Sequence, residues 1–141
     1  PQVYVSSLID APLENMWKVL RDFNGLPNWH PLVGVSRIED NLPVDAIGCV
    51  RNFQLADGGA TIREQLLALS DVEHLCTYSI LESPLPVSNY VATVRLRRIT
   101  TTDQTFGEWQ STFDTPVGEE ELAMEIVRGI YEQGFESLSN A

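Results

Sequence analysis

The sequence predicts an α+β domain in which a curved, seven-stranded antiparallel sheet wraps around one long C-terminal helix. Three observations lead to this prediction. A strand-like segment opens the chain, six further strand-like segments separated by turn signals fill residues 32–114, and an amphipathic helical segment closes it. Two short helices are expected between the first two strands. The 141 residues fit a single domain, residues 1–141, and a hydrophobic content of 43% suffices for a core.

The N-terminal segment predicts the first strand and both short helices. Residues 2–10 follow the two-residue alternation that is typical of a strand. A helix is expected next, with Pro12 in its first turn, where the missing N–H of proline has no consequence, and with Asn24-Gly25 at its end. A short helical turn is then expected from about Leu26 to Trp29.

The central part of the chain predicts six consecutive strands. Residues 57–59 (Asp-Gly-Gly) are a strong hairpin signal, and residues 70–71 and 102–103 mark two further turns. Because the connections are short, consecutive strands are expected to be antiparallel neighbours. The predicted strands are 33–40, 47–56, 60–70, 73–82, 87–99 and 104–114.

The last helix is predicted from Gly118 to about Ser139. Glutamates follow Gly118, and negative charge favours a helix N-terminus. Gly129 and Gly134 each lower helix stability by about 1 kcal/mol relative to alanine, so we expect them to allow a close backbone approach or to leave room for a ligand. The apolar stripe of this helix comprises Leu122, Ile126, Val127, Ile130, Tyr131, Phe135 and Leu138.

The charge of the chain excludes several classes of partner. A formal net charge of -11 repels phosphate backbones and anionic lipid surfaces, so nucleic-acid binding is not expected. No apolar run approaches the roughly 18–20 residues that cross a bilayer, so membrane insertion is not expected either. No charged-then-apolar segment opens the sequence, so no signal segment is expected. Because residue 1 is proline, we expect that an initiator methionine was removed and that the protein is cytoplasmic.

The two cysteines, Cys49 and Cys76, lie in apolar strand-like segments and are expected to be reduced, buried thiols. A disulfide remains open if their strands lie side by side. Together with the distant His30 and His74 they provide too few ligands for a metal site, so no metal is expected. The sequence contains no nucleotide-binding or nucleophile motif, so no cofactor is expected.

A single helix cannot fill the concave face of so large a sheet, which predicts a cavity between the helix and the sheet. Strand alternation places Arg51 and Phe53 on the inner face of one strand, and Glu64 and Leu66 on the inner face of the next. Arg51 and Glu64 are then cross-strand neighbours. Buried opposite charges must pair, so the two residues form either a structural ion pair or a ligand site with Arg51 as binder and Glu64 as partner or base.

Alternation in the later strands adds polar points to the same cavity. Tyr78, Tyr90, Trp109 and Ser111 are expected to face inward. The tyrosines either pack with satisfied hydroxyl groups or act on a carbonyl or enol of a substrate. His30, beside Trp29, is a candidate acid/base group or a contact at the cavity mouth.

Residues 83–86 must leave the sheet, because proline lacks the N–H that a central strand requires. Leu85 lies between Pro84 and Pro86, close to the predicted mouth of the cavity. The segment is therefore either a plain connection between strands or a lid whose leucine covers the cavity.

The chain resembles a known family in several segments. They are IDAPLENMWKVLRDF (9–23), NWHP (28–31), GCVRNFQLADGG (48–59), REQLLALSD (63–71), SPLPVSNYVATVRL (83–96) and EWQSTF (108–113). In this order they are similar to the START-like or SRPBCC superfamily, in particular to its small bacterial polyketide cyclase/dehydrase-like branch. The resemblance implies the helix-grip fold and an internal apolar pocket. Residues 83–87 also resemble the proline-containing loop that closes over the ligand in plant abscisic acid receptors of this superfamily.

From the cavity and the resemblance we expect a protein that binds a small hydrophobic or aromatic molecule, polyketide-like or lipid-like, as a monomer or homodimer. The alternative is a cyclase or dehydratase with Glu64, Tyr78 and His30 as catalytic candidates. A third class, a chaperone-like domain, would need an exposed apolar patch. The expected ligand-binding residues are Trp29, His30, Arg51, Phe53, Glu64, Leu66, Tyr78, Leu85, Tyr90, Trp109, Ser111, Ile126 and Ile130.

Overall fold

A computed structural model describes residues 1–141 and confirms the predicted fold class. All seven predicted strands and the long final helix are present, and two short helical segments lie between the first two strands. The strands are β1 (Gln2–Ile9), β2 (Val33–Ile38), β3 (Val50–Leu55), β4 (Thr61–Ser70), β5 (Leu75–Glu82), β6 (Ser88–Ile99) and β7 (Gln104–Asp114). The helices are α1 (Leu13–Leu20) and α2 (Glu120–Leu138), with 3₁₀ turns at Leu26–Asn28 and Glu39–Asn41.

The seven strands form one antiparallel sheet in the order β1-β7-β6-β5-β4-β3-β2. Consecutive strands from β2 to β7 are neighbours, as the short turns predict, and β1 closes the order beside β7. Helix α2 packs closely on the inner face of this sheet, where a Cβ atom added at Gly107 would lie 2.6 Å from the ring of Phe135. The core therefore lies between α2 and the sheet.

The segment around α1 departs from the prediction at both ends. Pro12 is the N-cap residue and lies before the first turn, and the helix ends at Leu20 with Arg21 as its C-cap, four residues before Asn24. The chain leaves the helix here because its polar groups have other partners. The carbonyl of Phe23 accepts a hydrogen bond from Nη1 of Arg51 at 3.1 Å, and Oδ1 of Asn24 accepts one from Ser36 at 2.9 Å.

Two β-bulges change which residues face inward. In β4 the register shifts between Leu66 and Ala68, so that Leu69, and not Ala68, lies opposite the buried Cys76. In β6 the register shifts between Ser88 and Val91, and Ser88 is exposed. Strict alternation from Leu66 and Tyr90 also predicts inward positions for Ala68 and Ser88, two residues away on the same strands. These two predictions are wrong, because an extra residue in a strand interrupts the alternation.

Both cysteines are free and buried, as expected, and no disulfide joins Cys49 to Cys76. Burial raises the pKa of the Cys76 thiol to about 11, so it stays protonated at neutral pH. No group of three or more His, Cys, Asp or Glu side chains is arranged to hold a metal ion. No helix is long and apolar enough to cross a membrane.

Candidate functional site

A cavity of about 70 Å³ lies between the inner face of the sheet and α2. Strands β3 to β7 form its floor, α2 forms its roof, and the 83–86 loop stands at one side. Thirteen of its 16 lining residues are hydrophobic, so its wall is mainly apolar. The lining residues are Leu26, His30, Leu32, Val33, Arg51, Phe53, Leu55, Ile62, Glu64, Tyr78, Ile80, Leu85, Tyr90, Trp109, Val127 and Ile130.

The cavity continues into an outer groove of about 410 Å³ between α2 and the β3–β4 hairpin. The groove is also lined by Ile126, Gly129 and Gln133 of α2. The inner cavity has room for a few water molecules, since one water requires about 10–15 Å³ of such a cavity. A ligand larger than a few atoms must therefore extend into the groove. The residues that line both spaces, and so form the passage between them, are Leu32, Leu55, Ile62, Leu85 and Ile130.

The predicted ion pair between Arg51 and Glu64 stands at the inner end of the cavity. The two residues are direct partners in the β3–β4 register, and each is only 7% exposed. Nη2 and Nε of Arg51 lie 2.7 and 2.8 Å from the same oxygen of Glu64, Oε1. The guanidinium also lies 4.0 Å from the ring centroid of Phe23 and 4.9 Å from that of Tyr78. It is therefore held rigidly between two aromatic rings.

Burial acts on the ionisation of this pair. Desolvation raises the pKa of the Glu64 carboxyl, and the adjacent Arg51 charge acts in the opposite direction. Because each charge needs the other, the pair is a fixed polar point in an otherwise apolar wall.

Aromatic side chains form the second half of the cavity wall. Nε1 of Trp109 donates a hydrogen bond to the hydroxyl of Tyr78 at 3.1 Å. The hydroxyl of Tyr90 is hydrogen-bonded to that of Tyr131, and Trp109 stacks on Tyr131 with ring centroids 4.6 Å apart. Burial raises the pKa of each of these tyrosines, so all stay protonated at neutral pH. Ser111 is buried with its hydroxyl oxygen unpartnered.

His30 joins the loop before β2 to α2. Its Nδ1 accepts a hydrogen bond from the backbone N–H of Leu32 at 3.2 Å, so Nε2 carries the proton and donates to the carbonyl of Ile130 at 3.0 Å. Burial lowers the pKa of His30, which keeps the ring neutral. Both ring nitrogens are occupied, so His30 connects the loop before β2 to α2.

The 83–86 loop places Leu85 over the cavity. The side-chain oxygen of Ser83 accepts a hydrogen bond from the N–H of Leu85 at 3.1 Å, and the N–H of Val87 bonds to the Leu85 carbonyl at 2.8 Å. These two contacts form a tight turn that is held locally. Leu85 lines both the inner cavity and the groove, so the loop forms part of the cavity wall.

The two helix glycines, Gly129 and Gly134, serve different purposes. A Cβ atom at Gly134 would lie 2.7 Å from Cζ3 of Trp109 and 3.2 Å from Cδ2 of His30, so Gly134 permits the close approach of α2 to the sheet. A Cβ atom at Gly129 would meet nothing within 4 Å, and Gly129 lines the groove. Gly134 therefore matches the expected close backbone approach, and Gly129 faces open space beside the groove.

The structure brings most of the predicted ligand-binding residues to one place. The inner cavity is lined by His30, Arg51, Phe53, Glu64, Tyr78, Leu85, Tyr90, Trp109 and Ile130. Ile126 lines the groove, whereas Trp29, Leu66 and Ser111 are buried outside the wall of both spaces. Sequence reasoning omitted Leu26, Leu32, Val33, Leu55, Ile62, Ile80 and Val127 from the site. Leu55, Ile62 and Ile80 lie two residues from Phe53, Glu64 and Tyr78 on the same strands, so alternation also indicates them. Leu26 and Leu32 lie outside the strands and carried no such signal.

The fold and this cavity agree with the comparison to protein families. The family model described as polyketide cyclase / dehydrase and lipid transport matches residues 1–141, the whole chain. The chain belongs to this family. The resemblance to the polyketide cyclase-like branch is thereby confirmed, and the family indicates binding of a hydrophobic ligand. None of the curated proteins matches the chain.

Several solved bacterial structures have the same fold. An uncharacterized protein from Bacillus thuringiensis is 32% identical, with a TM-score of 0.87 over 99% of this chain and 97% of that one. The protein XoxI from Bacillus cereus is 32% identical, with a TM-score of 0.88 over 99% and 93% of the two chains. A protein from Nitrosospira multiformis is 29% identical, with a TM-score of 0.86 over 99% and 94%.

Proposed function

We propose that this protein binds a small hydrophobic or aromatic molecule, polyketide-like or lipid-like, in the cavity between the sheet and α2. The observation that carries the proposal is the apolar cavity itself, with the Arg51–Glu64 pair at its inner end and an open groove at its outer end. Ligand sites are typically apolar and enclosed, with a few fixed polar groups that orient the ligand. The family description, which includes lipid transport, supports the same function.

The apolar area that a ligand buries in the cavity indicates the affinity to expect. An aromatic ring that buries about 150–250 Å² gains roughly 4–6 kcal/mol at about 25 cal/mol per Å², before the entropy of association is subtracted. A single ring is therefore expected to bind in the millimolar to high micromolar range. Larger ligands gain further contacts from the part that occupies the groove.

The proposal is tested by NMR titration of the protein with propylbenzene. Ile130→Trp places a large side chain in the passage between the cavity and the groove, while the backbone carbonyl that His30 binds is retained. Leu122→Trp is the matched control, because Leu122 is 51% exposed on the same helix and lines neither space. We expect propylbenzene to change the chemical shifts of cavity residues. Ile130→Trp should abolish these changes, and Leu122→Trp should keep them. Binding that survives in the blocked variant would refute it.

A cyclase or dehydratase activity in the same cavity is the second candidate function. It is favoured by the position of Glu64 and Tyr78, a carboxylate and a protonated hydroxyl, on neighbouring strands at the cavity wall. Glu64 would remove a proton from the carbon beside a ketone, the resulting enolate would attack a second carbonyl, and Tyr78 would protonate the new alkoxide. In the loss of water, the Tyr78 oxygen would take the second proton from the attacking carbon, and Glu64 would return its proton to the departing hydroxyl, so that both residues regain their starting states.

This activity is tested with a linear 1,3,5-triketone as the substrate, with ring formation followed by absorbance. An acid/base role predicts that Glu64→Gln and Tyr78→Phe each slow cyclisation by about 10²-fold or more. Tyr4→Phe, at an exposed tyrosine on β1, should leave the rate unchanged. Cyclisation at the uncatalysed rate with the wild-type protein would leave ligand binding as the function of the cavity.

A further inference from the structure

The polar groups at the inner end of the cavity are incompletely satisfied. Both contacts from Arg51 go to Oε1 of Glu64, and Oε2 has no hydrogen-bond partner within the protein. Oε2 is not fully enclosed by protein atoms, and Glu64 lines the cavity. An ionised carboxylate oxygen accepts hydrogen bonds readily. Glu64 therefore offers one free acceptor to the cavity.

Tyr78 provides the complementary free donor. Its hydroxyl oxygen accepts the N–H of Trp109, but the O–H of Tyr78 has no acceptor within the protein. Burial keeps this hydroxyl protonated, so its O–H is available as a donor. Tyr78 also lines the cavity.

The two free groups come from neighbouring positions on the inner face of the sheet. Glu64 pairs with Ile80 and Leu66 pairs with Tyr78, with no shift between these pairs, so Glu64 and Tyr78 are diagonal neighbours across β4 and β5. Such positions lie roughly 7–8 Å apart, which long side chains span easily. Both side chains also line the same cavity.

We propose that this pair selects a ligand whose inserted end is an uncharged hydroxyl group on a small ring or chain. The ligand hydroxyl donates to Oε2 of Glu64 and accepts from the O–H of Tyr78, so both unused groups are satisfied together. This inference rests on the binding function proposed above and specifies the chemistry of the ligand.

Charged head groups fit this site less well. The charge of Arg51 is already matched by Glu64 at 2.7 Å, so a carboxylate ligand would add an unbalanced negative charge to a buried site. An ammonium group would be only a donor and would leave the O–H of Tyr78 without an acceptor. A hydrocarbon would leave both groups unsatisfied.

Four matched ligands test the proposal on the wild-type protein at pH 7. 4-Propylphenol carries the neutral hydroxyl, propylbenzene lacks it, 4-propylanisole can accept but not donate, and 4-propylbenzoate is an anion. NMR titrations should give a dissociation constant for the phenol about 3–10-fold below those of propylbenzene and 4-propylanisole, from one or two net hydrogen bonds. The benzoate should bind most weakly.

A matched pair of variants assigns the effect to Tyr78. Tyr78→Phe should reduce the preference for the phenol over propylbenzene about threefold or more, because the donor is lost. Tyr4→Phe removes an exposed hydroxyl that binds Glu108 outside the cavity, and it should keep the wild-type preference. If Tyr78→Phe does not fold, the comparison of phenol with anisole in the wild-type protein still tests the acceptor.

The outcomes separate the two proposals. Equal binding of the phenol and propylbenzene, or tightest binding of the benzoate, overturns the selection of a neutral hydroxyl while the cavity remains a binding site. Failure of all four ligands to bind overturns the binding function, and this inference falls with it.

Discussion

The buried ion pair predicts a large loss of stability when one partner is removed. In Glu64→Gln the shape of the side chain is kept, but the charge of Arg51 loses its partner at a site where each residue is 7% exposed. Breaking a buried pair in this way costs about 3–5 kcal/mol in the free energy of unfolding. For a chain of 141 residues, each kcal/mol lowers Tm by about 3–4 °C, so we expect a fall of about 10–20 °C.

The double variant Arg51→Met/Glu64→Leu serves as the control, because it replaces both charges with apolar side chains. Replacing a whole buried pair is often neutral or stabilising, so the double variant should unfold closer to the wild type than either single variant does. Urea unfolding followed by circular dichroism measures the free energies of unfolding of the wild type, Glu64→Gln, the double variant and its two single variants, Arg51→Met and Glu64→Leu. A loss below about 1 kcal/mol in Glu64→Gln would refute the argument, as would a double variant whose loss equals the sum of the two single losses.

Three further predictions concern stability. Hydrogen bonds from Arg63 and Asn52 hold the pKa of the Glu39 carboxyl at about 2, below its ordinary value of 4.5. The contribution of Glu39 to stability is therefore present above pH 4.5 and lost as the pH falls toward 2; Glu39→Gln should flatten the acid limb of a urea-unfolding pH profile, and an unchanged limb would contradict this. Gly134→Ala should destabilise by about 1–3 kcal/mol in thermal unfolding, because its methyl group meets Trp109, and an increase in Tm would contradict the close approach. Gly129→Ala should stabilise by about 0.5–1 kcal/mol in the same assay, since its methyl group meets nothing, and a loss would contradict the open groove.

The sequence predicted the sheet well because its signals are local and repeated. Alternation and turn residues placed seven strands in the right order, and the residues 57–59 turn brought Arg51 opposite Glu64 as expected. Alternation failed at two of the register shifts, where one extra residue turned Ala68 and Ser88 away from the core. A bulge depends on how a strand pairs with its neighbour, which a single strand's sequence does not reveal.

The candidate site could be predicted only in part, because it depends on contacts between distant elements. The orientation of the His30 ring is set by the backbone N–H of Leu32 and by the carbonyl of Ile130, which lies 100 residues after His30 in the sequence. No spacing of residues in the sequence predicts this contact. Tyr131 was assigned to the apolar stripe of α2, yet its hydroxyl binds Tyr90 across the core. The sequence allowed either a close approach or open space at each glycine of α2. Only the packing of α2 shows that Gly134 permits the close approach and that Gly129 faces open space.

The most direct test of the account is a crystal structure of the protein soaked with 4-bromophenol, with data collected at the bromine absorption edge. We expect an anomalous bromine peak within the cavity or at its passage near Leu85 and Ile130, with the ring between α2 and the sheet. Bromine found only on the outer surface, with the cavity unchanged at a saturating concentration of the phenol, would contradict the claim that this cavity is the binding site.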